Sequence, residues 1–243
     1  MTEQRLIGRA EGRRTNEELV RSVPEPAFTP SWHPHSHAKV IDATELAVDA
    51  LGMKVENREY SLSASGARMF GVWQVGRRNG KMNCLGFRNS IDMTMSIGYI
   101  SILTVIVCTN QITHGNFFLL RRHTAGLTVT ELANTAQEAI GRVVQDFAIT
   151  DGWHESLKKV KLGKIKSEQM LVQAMRTGIV VPSKFREFDK LYFGTKDKEP
   201  VYDHTLYGFH GTMTQLIRGN NYGTNIWMNQ QITTFVEEIR KKA

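Results

Sequence analysis

The sequence offers one candidate nucleophile, Cys108, followed closely by Asn110 and His114. A thiol becomes a good nucleophile where a nearby base or positive charge favours the thiolate, and a histidine within reach supplies such a base. A cysteine at the end of an apolar, β-branched run is more often a small buried side chain. We therefore expect no catalytic residue and a non-enzymatic protein, with a Cys108-dependent enzyme as an alternative.

Three histidines alternate in the segment WHPHSH, at positions 33, 35 and 37. Alternate positions of an extended segment share a side, so these imidazoles could face one metal ion. Prolines stiffen the segment, and no matching carboxylate spacing accompanies it; the favoured interpretation is an arm that packs Trp32 onto the core. The sequence contains no HExxH, CxxC, GxxxxGK[ST] or GxGxxG motif. We expect neither a metal nor a cofactor.

Positive charge is concentrated in two blocks of the chain. The 243 residues hold 31 Lys and Arg against 24 Asp and Glu, for a formal net charge of +7. Residues 61–127 carry seven basic side chains and a single acid, and residues 156–166 carry five lysines and no acid. Such clustering favours a polyanionic partner, although a solvated face and a loop would give the same pattern. The expected nucleic-acid-binding residues are Arg68, Phe70, Arg77, Arg78, Lys81, Arg88, Arg121, Arg122, Lys158, Lys159 and Lys161.

Composition excludes several classes of protein. With 41% hydrophobic and 23% charged residues, the chain is neither disordered nor fibrous. Two cysteines are too few for a disulfide framework, and the longest apolar stretch, 97–107, is about half of the roughly 20 residues that a membrane span needs. The N-terminus has no apolar signal-peptide core. We expect a cytoplasmic protein with no membrane partner.

Period-two alternation predicts an antiparallel β-meander with strands near 60–64, 69–75 and 82–89. Trp73 has the parity of the core face, whereas Phe70 shares its parity with Arg68 and is the candidate for stacking on a base. The third strand is expected to lead into a helix at a junction formed by Arg88, Asn89, Ser90 and Asp92. Ser90 or Asp92 would cap this helix, and the freed backbone N–H groups would receive a phosphate. A purely structural pairing of Arg88 with Asp92 is the alternative.

The remaining elements follow from helical and β-branched patterns. Residues 93–108 fit either a helix or a strand; β-branched residues favour a strand over 102–108, with 116–123 as its partner. Helices are expected at 42–51, with Asp42 as N-cap, Glu45 completing the capping box and Gly52 as the stop, and at 128–151. Four further segments are expected to be helical: 167–177, 184–193, 204–218 and 224–241.

The predicted fold class is α+β, an antiparallel β-meander core packed by a long helix and followed by a helical C-terminal region. The expected domains are an extended N-terminal arm at 1–38, an α+β core at 39–155, a basic linker at 156–166 and a helical region at 167–243. Removal of residues 1–26 is expected to cost little stability.

Several sequence segments between residues 27 and 218, taken together, resemble a phage/plasmid-like bacterial family of unknown function. The resemblance spans about residues 27–218, and its most specific parts are Arg88-Asn89-Ser90 with Asp92, and Val107-Cys108-Thr109-Asn110. It implies an intracellular protein of mobile elements that acts near nucleic acid or host defence. The order of one helix, three antiparallel strands and an apolar segment is also similar to the core of the Rad52-like single-strand annealing proteins, in which a basic groove holds one DNA strand.

These observations lead to a functional hypothesis: a non-enzymatic phage- or plasmid-type protein that binds single-stranded nucleic acid, for annealing or protection. The first alternative is a phage-encoded protein that inhibits a host defence factor by binding it. A homo-oligomer is expected, because the meander has exposed edges and the last helix carries apolar residues with no later element to cover them.

Overall fold

We describe a computed structural model of the chain that covers residues 13–78, 81–105, 110–112, 119–217 and 222–243. The side chains of residues 77, 78, 81, 103–105, 110–112, 119 and 222–226 lie outside this description. The chain divides into two compact units, Met1–Phe147 and Ala148–Ala243.

The first unit is built on one antiparallel sheet. Its described strands are β1 (Arg13–Thr15), β2 (Asn57–Leu62), β3 (Arg68–Arg78), β4 (Lys81–Ser90), β5 (Ile97–Val105), β6 (Asn110–Ile112) and β7 (Leu119–Arg121). They pair in the order β1-β2-β3-β4-β5-β6, and β7 pairs with the beginning of β5, Arg121 opposite Ile97. The predicted meander therefore forms as β2 to β4, and a strand, not a helix, occupies Ile97–Val105.

One face of the sheet packs against two helices, α2 (His37–Ala50) and the first part of α3 (Val129–Lys158). Trp73 and Phe87 lie at the centre of this core, with their rings edge to face at 5.1 Å. A Cβ at Gly71 would overlap the Phe87 ring, so glycine opposite Phe87 gives the large ring its space. The predicted core position of Trp73 is confirmed, since its side chain is fully buried.

The central part of the opposite face of the sheet is buried too. Val72, Cys84, Ile100 and Ile102 have no exposed surface, and Phe70 is 3% exposed. The prediction that Phe70 stacks on bases is therefore wrong, because it assumed that one face of the meander is open to solvent.

The N-terminal segment is not an extended arm over its described part. β1 pairs with β2, and α1 (Glu17–Arg21) follows, with Val20 fully buried in the core. Tyr60 donates its hydroxyl proton to Glu17 over 2.8 Å, and Arg21 binds Glu17 and Asp42. Loss of this segment would remove a buried side chain and these ion pairs, so these contacts predict a loss of stability on deletion of residues 1–26, in contrast to the expectation from the sequence.

Helix boundaries differ from the prediction where capping was misassigned. α2 begins five residues before 42, capped by the Ser36 hydroxyl, which accepts from the Lys39 N–H; Asp42 binds Arg21 instead of capping. α3 continues through Asp151 and Gly152 to Lys158, so the predicted basic linker is partly helical.

The second unit is helical, as predicted. It contains the end of α3, then α4 (Lys164–Arg176), a 3₁₀ turn (Pro182–Lys184), α5 (Phe185–Tyr192), α6 (Leu206–Leu216) and α7 (Tyr222–Lys242). α7 packs Phe235 and Val236 into the core of this unit, while Trp227 is 57% exposed. The apolar residues that suggested an uncovered helix are therefore largely covered within the chain.

Among the described residues, no helix is long and apolar enough to cross a membrane.

Candidate nucleic-acid interface at the histidine end of the sheet

Strand geometry separates the predicted basic residues into two groups. Arg68 begins β3 and pairs with Ser90, whereas Arg77 lies nine residues further along β3, opposite Met82. At about 3.3 Å per residue, these positions are about 30 Å apart. Arg68, Arg88, Arg121 and Arg122 thus belong to one end of the sheet, and Arg77, Arg78 and Lys81 belong to the other, which we call the hairpin end.

The first end holds a cluster of three histidines, and we call it the histidine end. The segment that precedes α2 runs beside the residues that follow β7: the His33 N–H donates to the His123 carbonyl over 3.0 Å, and the His35 N–H donates to His123 Nδ1 over 3.3 Å. Asn89, at the end of β4, donates from Nδ2 to the His35 carbonyl at 2.9 Å and to His37 Nδ1 at 3.0 Å. Three distant parts of the chain therefore meet around these imidazoles.

Each imidazole is held neutral, in a tautomer fixed by its partners. Nε2 of His37 lies 2.9 Å from the Gly66 carbonyl, and Nε2 of His35 lies 2.6 Å from the Leu127 carbonyl. A carbonyl only accepts, so both Nε2 atoms carry the proton. Burial lowers the pKa of His35 and of His37. Burial, with smaller effects from His35 and His37, lowers the pKa of His123 to about 4.

His123 presents one hydrogen-bond donor without a partner. Its Nδ1 accepts from the His35 N–H, so the proton of the neutral ring is on Nε2. The residue is 4% exposed, and its Nε2 has no hydrogen-bond partner among the described residues. The indole Nε1 of Trp32, whose ring lies edge-on to His123 at 6.4 Å, is likewise buried and unpartnered within the described part of the chain. Two neighbouring rings thus each carry a buried N–H group without a described partner, and such groups normally have partners.

Both residues line a cavity of about 320 Å³. Its walls are Ser31, Trp32, Met93, Thr94, Met95, Ser96, Arg122, His123 and Thr124. A second cavity, of about 400 Å³, shares Arg122 and Thr124 with the first and is also lined by Arg121 and Glu131. Leu120, Arg121 and Arg122 are exposed. In the part of the chain that the structure describes, no carboxylate forms an ion pair with either arginine.

The loop between β4 and β5 forms one wall of the first cavity. The Ser90 hydroxyl fixes this loop through two hydrogen bonds: it accepts from the Met95 N–H at 2.9 Å and donates to the Met95 carbonyl at 3.0 Å. Met93 has a φ of +63°, a conformation that costs energy for a residue with a side chain. This fixed, strained loop places Met93 and Met95 beside Trp32.

The predicted helix cap at Ser90 and Asp92 does not form, because a loop and then β5 follow β4. Arg88 does not pair with Asp92: its Nε donates to the Ser96 carbonyl at 3.3 Å. Asp92 lies 3.9 Å from Arg68 Nε and accepts hydrogen bonds from Thr94. Arg88 therefore bonds the loop, Arg68 lies near Asp92 with a partly exposed side chain, and Arg121 and Arg122 are exposed.

The other predicted site residues lie elsewhere. Lys159 and Lys161 are exposed in the second unit, whereas Lys158 pairs with Glu155 at 2.7 Å and lies over the Tyr207 ring. The side chains of Arg77, Arg78 and Lys81, and all of Cys108, fall outside the described residues. No group of three His, Cys, Asp or Glu side chains that could hold a metal occurs among the residues described.

Sequence reasoning missed the cavity itself. It singles out Trp32 and the alternating histidines as an arm or, alternatively, as metal ligands, and it does not single out His123. The available signal was Arg121-Arg122-His123 close to a strand, which gives no hint that His123 meets a segment 88 residues earlier. No protein-family model, curated protein or solved structure matches this chain.

Proposed function

We propose that this protein binds single-stranded nucleic acid, without chemistry on it, and that the strand lies across the histidine end of the sheet. The observation that carries the proposal is the position of Arg121 and Arg122, two exposed arginines without described acidic partners, beside two adjoining cavities, one of them lined by an aromatic ring. Arginines beside aromatic rings are the usual elements of single-strand binding, with phosphates on the cations and bases on the rings.

The setting is proposed from the sequence resemblance: a phage- or plasmid-type protein of the bacterial cytoplasm that anneals or protects a strand. Self-association belongs to this proposal, because annealing benefits from many nucleotides held along adjacent subunits. The exposed Trp227 and the edge strand β1 are among the described surfaces that could take part in it. Light scattering at micromolar concentration, with and without an oligonucleotide, measures it; a monomer under both conditions contradicts that part.

The direct test is the salt dependence of oligonucleotide binding. Each phosphate contact on a single strand contributes about 0.7 to the slope of log K against log salt, so Arg121→Gln with Arg122→Gln should lower the slope by about 1.4 and weaken binding to all sequences. The matched control is Arg142→Gln with Arg176→Gln, which removes the same charge from exposed helix positions. Equal effects of the two double variants would show only a general charge effect and contradict this site.

Capture of a protein from the host, with no salt-dependent binding of DNA or RNA, would instead support the alternative hypothesis that this protein inhibits a host defence factor. Binding by fluorescence anisotropy with DNA and RNA oligonucleotides of one sequence distinguishes these outcomes and gives the strand preference.

A further inference from the structure

The cavity beside Arg122 has a defined hydrogen-bonding character. Its two buried unpartnered atoms, His123 Nε2 and Trp32 Nε1, are both donors, since the neutral His123 ring already uses Nδ1 as acceptor and indole has no acceptor nitrogen. Two polar groups of the wall are already engaged, the Thr94 hydroxyl with Asp92 and the Ser96 carbonyl with Arg88. A ligand that satisfies this cavity must therefore bring acceptors.

The positive charge of the cavity wall is separate from its buried donors. The two buried donors are neutral, because burial and the neighbouring imidazoles disfavour a charged His123. The permanent charge belongs to Arg122, whose side chain is exposed. A phosphate is best held at the exposed cation, while a neutral group with acceptor atoms is best held by buried neutral donors.

Size and lining suit a small, partly apolar group. Trp32, Met93 and Met95 give one aromatic and two thioether walls, and a thioether packs well against a ring. A volume of about 320 Å³ lies at the lower end of the range for small-molecule sites, which begins at about 300 Å³. It suits one nucleotide unit better than an extended cofactor.

We propose that this cavity receives one base of the bound strand, turned out of its stack, and that it favours a base with carbonyl oxygens, such as thymine, over adenine through hydrogen bonds from His123 Nε2 and Trp32 Nε1. Adenine has no carbonyl oxygen and places an amino donor at its edge, so it leaves a buried donor unpaired. This inference rests on the proposed function and adds to it a base preference and the residues that set it.

The experiment compares binding of oligo(dT), oligo(dA) and an abasic strand of the same length to the wild type and to two variants of His123. His123→Asn keeps an oxygen acceptor near the Nδ1 position but has no group at Nε2, while His123→Gln can place an amide N–H near the Nε2 position. We expect the wild type to prefer oligo(dT) over oligo(dA) roughly tenfold, the ratio for one or two hydrogen bonds. His123→Asn should lose this preference, and His123→Gln should retain part of it.

A preference for oligo(dT) that persists fully in His123→Asn would come from the stiffness of the adenine strand and would overturn the inference. Equal binding of the abasic strand would overturn it too, since the backbone would then occupy the cavity. In both cases the salt test on Arg121 and Arg122 can still succeed, so the proposed function would survive. Absence of any strand binding overturns both.

A second variant tests the same contact without substituting the buried His123, whose replacement could unfold the protein. Trp32 is only partly buried, and Trp32→Phe keeps a ring while removing Nε1–H. It should lower the preference for oligo(dT) several-fold with an unchanged thermal unfolding midpoint. An unchanged preference in this variant would remove Trp32 from the proposed contact.

Discussion

The two ends of the sheet carry similar charge in the sequence and differ in what the structure adds to it. At the hairpin end, Arg77, Arg78 and Lys81 surround the turn between β3 and β4. At the histidine end, Arg121 and Arg122 adjoin two cavities, a strained loop and two buried donors without described partners. The comparison shows that clustered charge along a chain predicts a class of partner, whereas a site also needs groups that only the fold brings together.

The histidine end also differs in how it depends on pH, and acid is the strongest way to separate the two ends. The pKa of His123 is about 4 in the folded protein and about 6.5 in an unfolded chain, so protonation favours unfolding. The free energy of unfolding should be constant above pH 6.5, fall as the pH drops below it, and level off near pH 4. At about 1.4 kcal/mol per pKa unit, His123 alone should account for about 3 kcal/mol.

Urea unfolding at pH 7 and pH 5 measures this effect before the carboxylates titrate. Glu17, Glu25 and Asp92 have lowered pKa values, so their contributions are lost only below about pH 4.5. His123→Asn should have a flatter profile than the wild type. An equally steep profile in the variant would place the acid sensitivity elsewhere.

The next largest effect is expected from Asn89, which ties the histidine segment to β4. Asn89→Leu leaves the His35 carbonyl and His37 Nδ1 without their donor in a buried place, and should lower the free energy of unfolding by about 2 kcal/mol. Asn57→Leu is the control on β2: Asn57 is exposed and accepts only from the Arg58 N–H. Similar losses in urea unfolding for both variants would mean that the cluster contributes no special stability.

Strand length offers a sharper comparison of the two ends. They are about 30 Å apart along β3, so a short oligonucleotide held at the histidine end does not reach the hairpin. Replacing Arg77, Arg78 and Lys81 with Gln should leave the salt slope of a short strand unchanged and lower that of a long strand by about 0.7 per lost contact. A large loss with the short strand would make the hairpin the primary site and reverse the comparison.

The smallest effect is expected in the second unit. Lys159→Glu with Lys161→Glu should weaken binding of a long strand about threefold, because these exposed lysines offer its phosphates a secondary contact. Lys196→Glu with Lys198→Glu, also in the second unit, is the matched control. Equal affinities for the two double variants would assign the lysine run to solubility.

Local pattern predicted the elements of this fold well and its long-range contacts poorly. Trp73 and the C-terminal helices followed from parity and periodicity, which are properties of neighbouring residues. Phe70 was misjudged because burial of the second sheet face is not visible in one strand. The Asp42 cap failed because Ser36 offered an earlier one and Arg21 bound Asp42 instead.

The candidate site shows the same division. Arg121 and Arg122 could be predicted from the clustering of basic residues in the sequence. Their role in a binding site depends on the cavity that Trp32 and His123 line. His35 and His123 are 88 residues apart, and no periodicity links them. The signal of chemistry in the sequence was the alternation of histidines, and in the structure His35 and His37 bond backbone carbonyls through Nε2 while Asn89 donates to His37 Nδ1.

The pairing of residues 33–35 with His123 has a consequence for the order of events in folding. Closing a loop of about 90 residues costs more entropy than forming any hairpin of the meander, so this contact belongs to the late part of folding. During synthesis, the cavity has no wall on one side until β7 and the residues after it have left the ribosome. A chain that has completed the meander but not yet reached Thr124 therefore has its hairpin arginines and no cavity, and the proposed binding site forms only once the second half of the sheet has met the first.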